Sequence, residues 1–79
     1  MNAPANLLQL DVNLLGSWRR IAEAEPARET DLRQAAVLLG NAHNGRISFR
    51  LAVAQDGSSC RVLARCVRGD DRRMMWRDQ

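Results

Sequence analysis

The stretch RISFRLAVAQDGSSCRVLARC, residues 46–66, decides how this chain folds. In its first half Ile47, Phe49, Leu51 and Val53 alternate with Arg46, Ser48, Arg50 and Ala52. In its second half Cys60, Val62, Ala64 and Cys66 alternate with Arg61, Leu63, Arg65 and Val67. A period of two is the mark of a strand with one buried face. Asp56-Gly57 lies between the halves, and such a pair suits a type I′ hairpin turn, whose two central residues need positive φ. A turn there sets Val53 opposite Cys60, Leu51 opposite Val62, Phe49 opposite Ala64 and Ile47 opposite Cys66, all apolar. The other face pairs Ala52 with Arg61, Arg50 with Leu63, Ser48 with Arg65 and Arg46 with Val67. A one-residue slip would bury arginines, so the pattern predicts a firmly held register and an exposed grid of Arg46, Arg50, Arg61 and Arg65 with Leu63 and Val67 among them.

Working outward, LQLDVNL at residues 8–14 alternates Leu8, Leu10, Val12 and Leu14 with Gln9, Asp11 and Asn13, and reads as a further strand. A helix competes there, because Leu7, Leu10, Leu14 and Ile21 also fall at heptad spacing, but Val12, Asn13 and Gly16 form helices poorly. Ser17 can cap a short helix over about 17–25, with Trp18, Ile21 and Ala22 on one face and Pro26 at its end. Thr30 can cap a second, over about 30–39. There Leu32, Ala35, Ala36 and Leu39 follow helical spacing, Asp31 sits in the first turn, and Gly40 stands where a helix-ending glycine belongs. The tail VRGDDRRMMWRDQ predicts a short strand near 73–77. A three-residue loop at Gly69-Asp70-Asp71 turns Met74 and Trp76 inward, whereas a two-residue loop turns Met75 in and sets Trp76 beside Arg65. The fold class expected is α+β: an antiparallel sheet from the hairpin 46–54/59–67, the strand near 73–77 and the strand 8–14, packed against two short helices.

With 79 residues, the chain is expected to be one small domain over 1–79. A core this size is marginal, and such domains often lean on a partner or on a second copy; a homodimer could form through the sheet edge or the 74–76 segment. Apolar residues make up 46% and charged residues 27%, the balance of a globular protein rather than a disordered one. All twelve basic residues are Arg. Codon bias in a GC-rich genome accounts for this as readily as function does, yet guanidinium forks grip carboxylates and phosphates bidentately either way. Residues 1–40 carry four Arg against five acids and residues 41–79 eight against four, so the positive field belongs to the C-terminal half. No basic leader and no long apolar run appears, which points to a cytoplasmic protein that makes no use of a membrane.

Catalytic constellations are not evident, and no enzymatic activity, metal or cofactor is expected. There is one His, no Tyr and no Lys. His43 reads as a solvent-facing residue of the turn NAHNG, and Asp70-Asp71 as a polar loop. Cys60 and Cys66, on one strand, would stand about 20 Å apart at about 3.3 Å per residue, too far for a mutual disulfide or a shared zinc; both read as small buried apolar residues.

What remains is a binding surface. Arg46, Arg50, Arg61, Leu63, Arg65, Arg68, Arg72 and Arg73 are the candidate contact residues, with Arg50 and Arg65 expected to carry binding. Arg is enriched at interface hot spots, which favours a non-enzymatic module that binds an acidic protein surface stoichiometrically. The alternative is a small basic nucleic-acid-binding or transcription-regulatory protein: the pI near 10.1 suits phosphate contacts, but the exposed face carries no aromatic for stacking bases and no basic recognition helix is visible. In size and Arg-only style such a domain resembles the inhibitors that phages and mobile elements deploy, the anti-CRISPR proteins among them. That resemblance implies stoichiometric occlusion of a nucleic-acid or subunit site on a nucleic-acid-processing complex, although anti-CRISPR proteins are often acidic and this chain is basic.

Overall fold

The computed structural model describes residues 7–54 and 60–79. The chain runs β1 (Leu8–Leu14), β2 (Ser17–Ala24), a single 3-10 turn (Pro26–Arg28), α1 (Glu29–Ala42), β3 (Ser48–Ala54), β4 (Cys60–Arg68) and β5 (Met74–Asp78). The strands make one antiparallel sheet in the order β2-β1-β3-β4-β5, and α1 lies on one side of it. The α+β class and the strand 8–14 stand as expected. The second helix starts at Glu29 rather than Thr30 and runs to Ala42.

The expected helix over 17–25 is instead strand β2. Leu15 and Gly16 have φ of 59° and 90°, and Leu14 pairs with Ser17. That is a two-residue hairpin with positive φ at both central positions, the backbone a type I′ turn demands. Asn13 Oδ1 accepts a hydrogen bond from Gly16 N at 3.1 Å and tightens it. Once the turn closes, residues 17–24 gain seven backbone pairings along β1, more than a short isolated helix could offer. Trp18, Ile21 and Ala22 therefore do not share a face. Between the pairs Leu10–Ala22 and Asp11–Arg20 the extra residue Ile21 forms a bulge, which sends Ala22 and Ala24 to the core side and leaves Trp18 and Arg20 on the opposite side.

Leu15 is an unusual residue for this turn. A side chain with a Cβ costs about 1–2 kcal/mol in the left-handed region, and Leu15 is fully exposed (103%), so no packing offsets that strain. Leu15→Asn, which tolerates positive φ and makes an Asn-Gly turn, is expected to stabilise the fold by about 1 kcal/mol, raising the thermal midpoint by roughly 4–8 °C. A melting curve followed by circular dichroism checks this; an unchanged or lower midpoint would show that Leu15 packs in a way its exposure hides.

The expected hairpin register shifts. Phe49 pairs with Cys66, Arg50 with Arg65 and Leu51 with Ala64, two residues away from the alternation-based pairing. Beyond Leu51 a second bulge takes up Leu63, and Ala52 pairs with Val62, Val53 with Arg61 and Ala54 with Cys60. The Asp56-Gly57 turn lies outside the described residues. The two bulges flank the central β1–β3 pair close to Leu10–Leu51, where they bend the outer strands and add local twist.

The core lies between α1 and the sheet and consists of Leu8, Leu10, Leu32, Ala36, Phe49, Leu51, Cys66 and Met74, with Trp76 packed against it. Met74 and Trp76 thus turn inward as the three-residue loop requires. The loop itself falls one residue later, at Asp70-Asp71-Arg72, with Arg72 at φ 68° and hydrogen bonds from Gly69 N to Arg73 O and from Arg72 N to Gly69 O. Three polar contacts fasten β5 to the helix. Trp76 Nε1 donates to Arg33 O at 2.9 Å, Met74 N donates to Asn41 Oδ1 at 2.9 Å, and Arg33 pairs with Asp78 at 3.1 Å. Gly40 does not end α1. It lies within the helix, buried, where Met74 crosses, and His43 forms the C-cap.

Candidate functional site

No described element covers the side of the sheet away from α1. The register sets five side chains there in one transverse row: Arg20 on β2, Asp11 on β1, Arg50 on β3, Arg65 on β4 and Arg77 on β5. Neighbouring strands stand about 4.7–4.9 Å apart, so the row spans roughly 19 Å. Asp11 is nearly buried (8% of its side chain exposed), and it accepts a hydrogen bond from Arg50 Nε at 2.8 Å. The Arg50 guanidinium reaches across β1 and stacks over the Trp18 ring, 4.4 Å from its centroid. Asp11 and Trp18 therefore hold Arg50 from two sides, a charge-assisted hydrogen bond and a cation–π contact.

At the other end of the row the balance differs. Arg65 stands directly between Arg50 and Arg77, and neither Arg65 nor Arg77 makes an ion pair among the described residues. Both are exposed. Arg20 is partly answered by Glu23 at 3.6 Å. Exposed Met75 and half-buried Val67, a cross-strand pair, add apolar area beside Arg77.

The other expected contact residues do not join this row. Arg46 precedes β3 in the segment after α1, where it lines a cleft with Asn13, Leu15 and His43. Arg61 pairs with Val53, which packs on the core, so the Leu63 bulge has moved Arg61 to the helix side of the sheet. Leu63 itself packs against the core. Arg68 is spent on backbone: Nη2 lies 3.2 Å from Gly40 O, 3.2 Å from His43 O and 3.1 Å from Gly45 O, and Nη1 donates to Arg72 O at 3.1 Å. Arg72 and Arg73 are exposed in and beside the β4–β5 turn. The expected grid is thus a line, and Arg50 and Arg65 share its face as adjacent partners. Asp11, Trp18, Arg20 and Arg77 were not expected in it. Asp11 was legible as the acid on the polar side of an alternating strand; Trp18 and Arg20 would have followed had Leu15-Gly16 been read as a turn.

The cysteines part company for the same reason. Cys66 is buried in the core, and burial pushes its thiol up to about 11, partly opposed by the Arg33 charge, so it stays protonated near neutrality. Cys60 is exposed, contrary to expectation, because the bulge between the two breaks their common face. His43 is exposed, as its turn position implies.

Comparison with protein-family models, curated proteins and solved structures yields no match for this chain. Function therefore rests on the site's own chemistry. Among the described residues no cluster of His, Cys, Asp and Glu could hold a metal ion, and no helix is long and apolar enough to cross a membrane.

Proposed function

We propose that this chain is a stoichiometric binding module whose sheet face away from α1 docks an acidic protein surface through Arg65 and Arg77, with Arg50 held in place behind them. The observation that carries this reading is the Arg50–Arg65–Arg77 line. Like charges directly opposed on neighbouring strands destabilise a sheet, and a carboxylate-bearing partner turns that repulsion into bidentate hydrogen bonds. Trp18 and Asp11 fix Arg50, so part of the side-chain entropy is lost before the partner arrives. Binding of this kind acts by occlusion, as in the small inhibitors of phages and mobile elements.

Nucleic acid is the second reading, and Trp18 favours it by placing an aromatic on the Arg-bearing face. Arg50 already occupies that ring's face, however, which leaves less of it for a base to stack on. Fluorescence anisotropy separates the two, with a labelled poly-glutamate peptide and a labelled random-sequence duplex DNA each titrated at two salt concentrations. The expected result is retention of the peptide, and its loss by at least roughly tenfold in Arg65→Glu/Arg77→Glu. The same variant is expected to melt no lower than wild type, because a Glu at 65 turns its repulsion with Arg50 into an attraction, while the Glu–Glu pair left across β4 and β5 only replaces an Arg–Arg pair. Steeply salt-dependent binding of DNA with none of the peptide decides for nucleic acid, and a double variant that binds as wild type does removes this face from either role.

A further inference from the structure

We propose that α1 is a self-association surface, through which two copies of this chain pair by antiparallel helices along Ala35, Leu38, Leu39 and Ala42. The helix has two apolar sides. Leu32, Ala36 and Gly40 are buried against the sheet. Ala35, Leu38, Leu39 and Ala42 follow at i, i+3, i+4 and i+7 and are exposed, Leu38 to 71% and Leu39 to 53%. A helix apolar on both sides expects a covering on both. Beside this stripe lies a shallow groove in which half-buried Val37 and Trp76 meet Leu38, with Thr30, Arg33 and Gln34 along its other side.

Charge and spacing identify the occupant as a second copy. From Gln34 to Gly45 the chain carries no Asp, Glu, Lys or Arg, although charged residues make up 27% of the whole. An acidic partner finds nothing to pair with there and is drawn to the Arg line. A basic chain of net charge +3 repels its own copies at most approaches, and a charge-free stripe is where two copies meet without that penalty. The spacing is also self-complementary. A two-fold axis between Leu38 and Leu39 sets Leu38 against Leu39 of the second copy, and Ala35 against its Ala42. The small residues let the helix ends approach closely while the leucines fill the middle. A pair of 14-residue helices makes an interface at the low end of the specific range, under about 1,200 Å² in total, so the dimer is weak, with a dissociation constant in the micromolar range. The helix and the Arg line lie on opposite sides of the sheet, so such a dimer presents two Arg faces outward and is independent of what they bind.

Sedimentation velocity on the full chain tests this, from about 1 to about 200 μM. The expected result is a sedimentation coefficient that rises with concentration in wild type and in Arg65→Glu/Arg77→Glu. In Leu38→Glu, at a site exposed in the monomer, dimerisation is expected to weaken at least roughly tenfold. A wild-type chain that stays monomeric at the top concentration overturns the proposal whatever the variants do. So does a folded Leu38→Glu that dimerises like wild type, which would place the contact at a sheet edge instead.

Discussion

Arg68→Ala is expected to destabilise the fold by about 2–3 kcal/mol, lowering the thermal midpoint by at least roughly 8 °C. An exposed arginine on a small sheet would ordinarily cost a few tenths. Arg68 is different because it serves the backbone. The last turn of α1 carries no basic residue of its own, and its terminal carbonyls would face outward with the negative end of the helix dipole. The Arg68 guanidinium crosses from β4 to reach Gly40 O and His43 O, Gly45 O just beyond, and Arg72 O in the next hairpin. One side chain thereby joins the helix end, the loop into β3 and the β4–β5 turn. Truncation leaves the His43, Gly45 and Arg72 carbonyls without this donor and Gly40 O with only its bond from His43 N, and it loosens three segments together. Arg68→Lys is expected to recover less than half of the loss, since one ammonium nitrogen cannot span the fork. Urea denaturation of the three proteins measures the differences. An Ala variant within about 0.5 kcal/mol of wild type would mean the carbonyls are equally well served by solvent. Because Arg68's donors are already engaged, poly-glutamate binding by the folded Ala variant should match wild type.

Alternation in residues 46–66 identifies two strands and puts Phe49, Leu51, Ala64 and Cys66 inside, and each is buried. It also keeps Arg50 and Arg65 on one face. It carries no information on residues that interrupt the alternation, and the described strands contain two, Ile21 and Leu63. A bulge costs a local pairing yet satisfies the twist of the whole sheet, a global property that no local spacing reveals. The Leu63 bulge moves Arg61 off the face and separates Cys60 from Cys66. The Ile21 bulge hides a strand whose Trp18, Ile21 and Ala22 then mimic helical spacing. Leu15 hid the turn before it, because positive φ is expected of Asn, Asp or Gly and not of a bulky aliphatic residue.

Charge placement was legible in amount but not in allocation. The surplus of arginine in the second half was plain, but the structure divides it among separate tasks. Arg68 ties carbonyls. Arg50 answers Asp11 and covers Trp18. Arg33, in the first half, pairs with Glu29 and Asp78 and stacks on Trp76 at 5.1 Å. Only after these are subtracted do Arg65 and Arg77 stand out as adjacent cations that the described fold does not use. Their position beside the immobilised Arg50 is what the proposed docking surface rests on. A merely solvated face would gain by alternating signs across strands, as Arg20, Asp11 and Arg50 do at the other end of the same row.

Gly40→Ala is expected to change sign with its neighbour: destabilising by about 1–2 kcal/mol in wild type, and stabilising by about 1 kcal/mol in a Met74→Ala background. Inside a helix, alanine is better than glycine by roughly 1 kcal/mol, so a gain would be the default. Here a Cβ on residue 40 would collide with Met74 Cγ and lie only 2.8 Å from its Cε and 2.9 Å from its Sδ. Met74 is not free to swing clear. It is buried, its backbone N–H is held by Asn41 Oδ1, and Arg68 pairs with it across β4 and β5. Moving it means repacking the end of the core, which costs about 1–3 kcal/mol. Met74→Ala alone should cost about 2–5 kcal/mol through the cavity it leaves, and a methyl at residue 40 then enters open space and restores part of that volume. The coupling between the two sites, read from a double-mutant cycle in urea, is expected to be about 2–3 kcal/mol. Additive effects would show that the methionine relaxes without resistance, and that Gly40 answers to something other than the close approach of β5 to the helix.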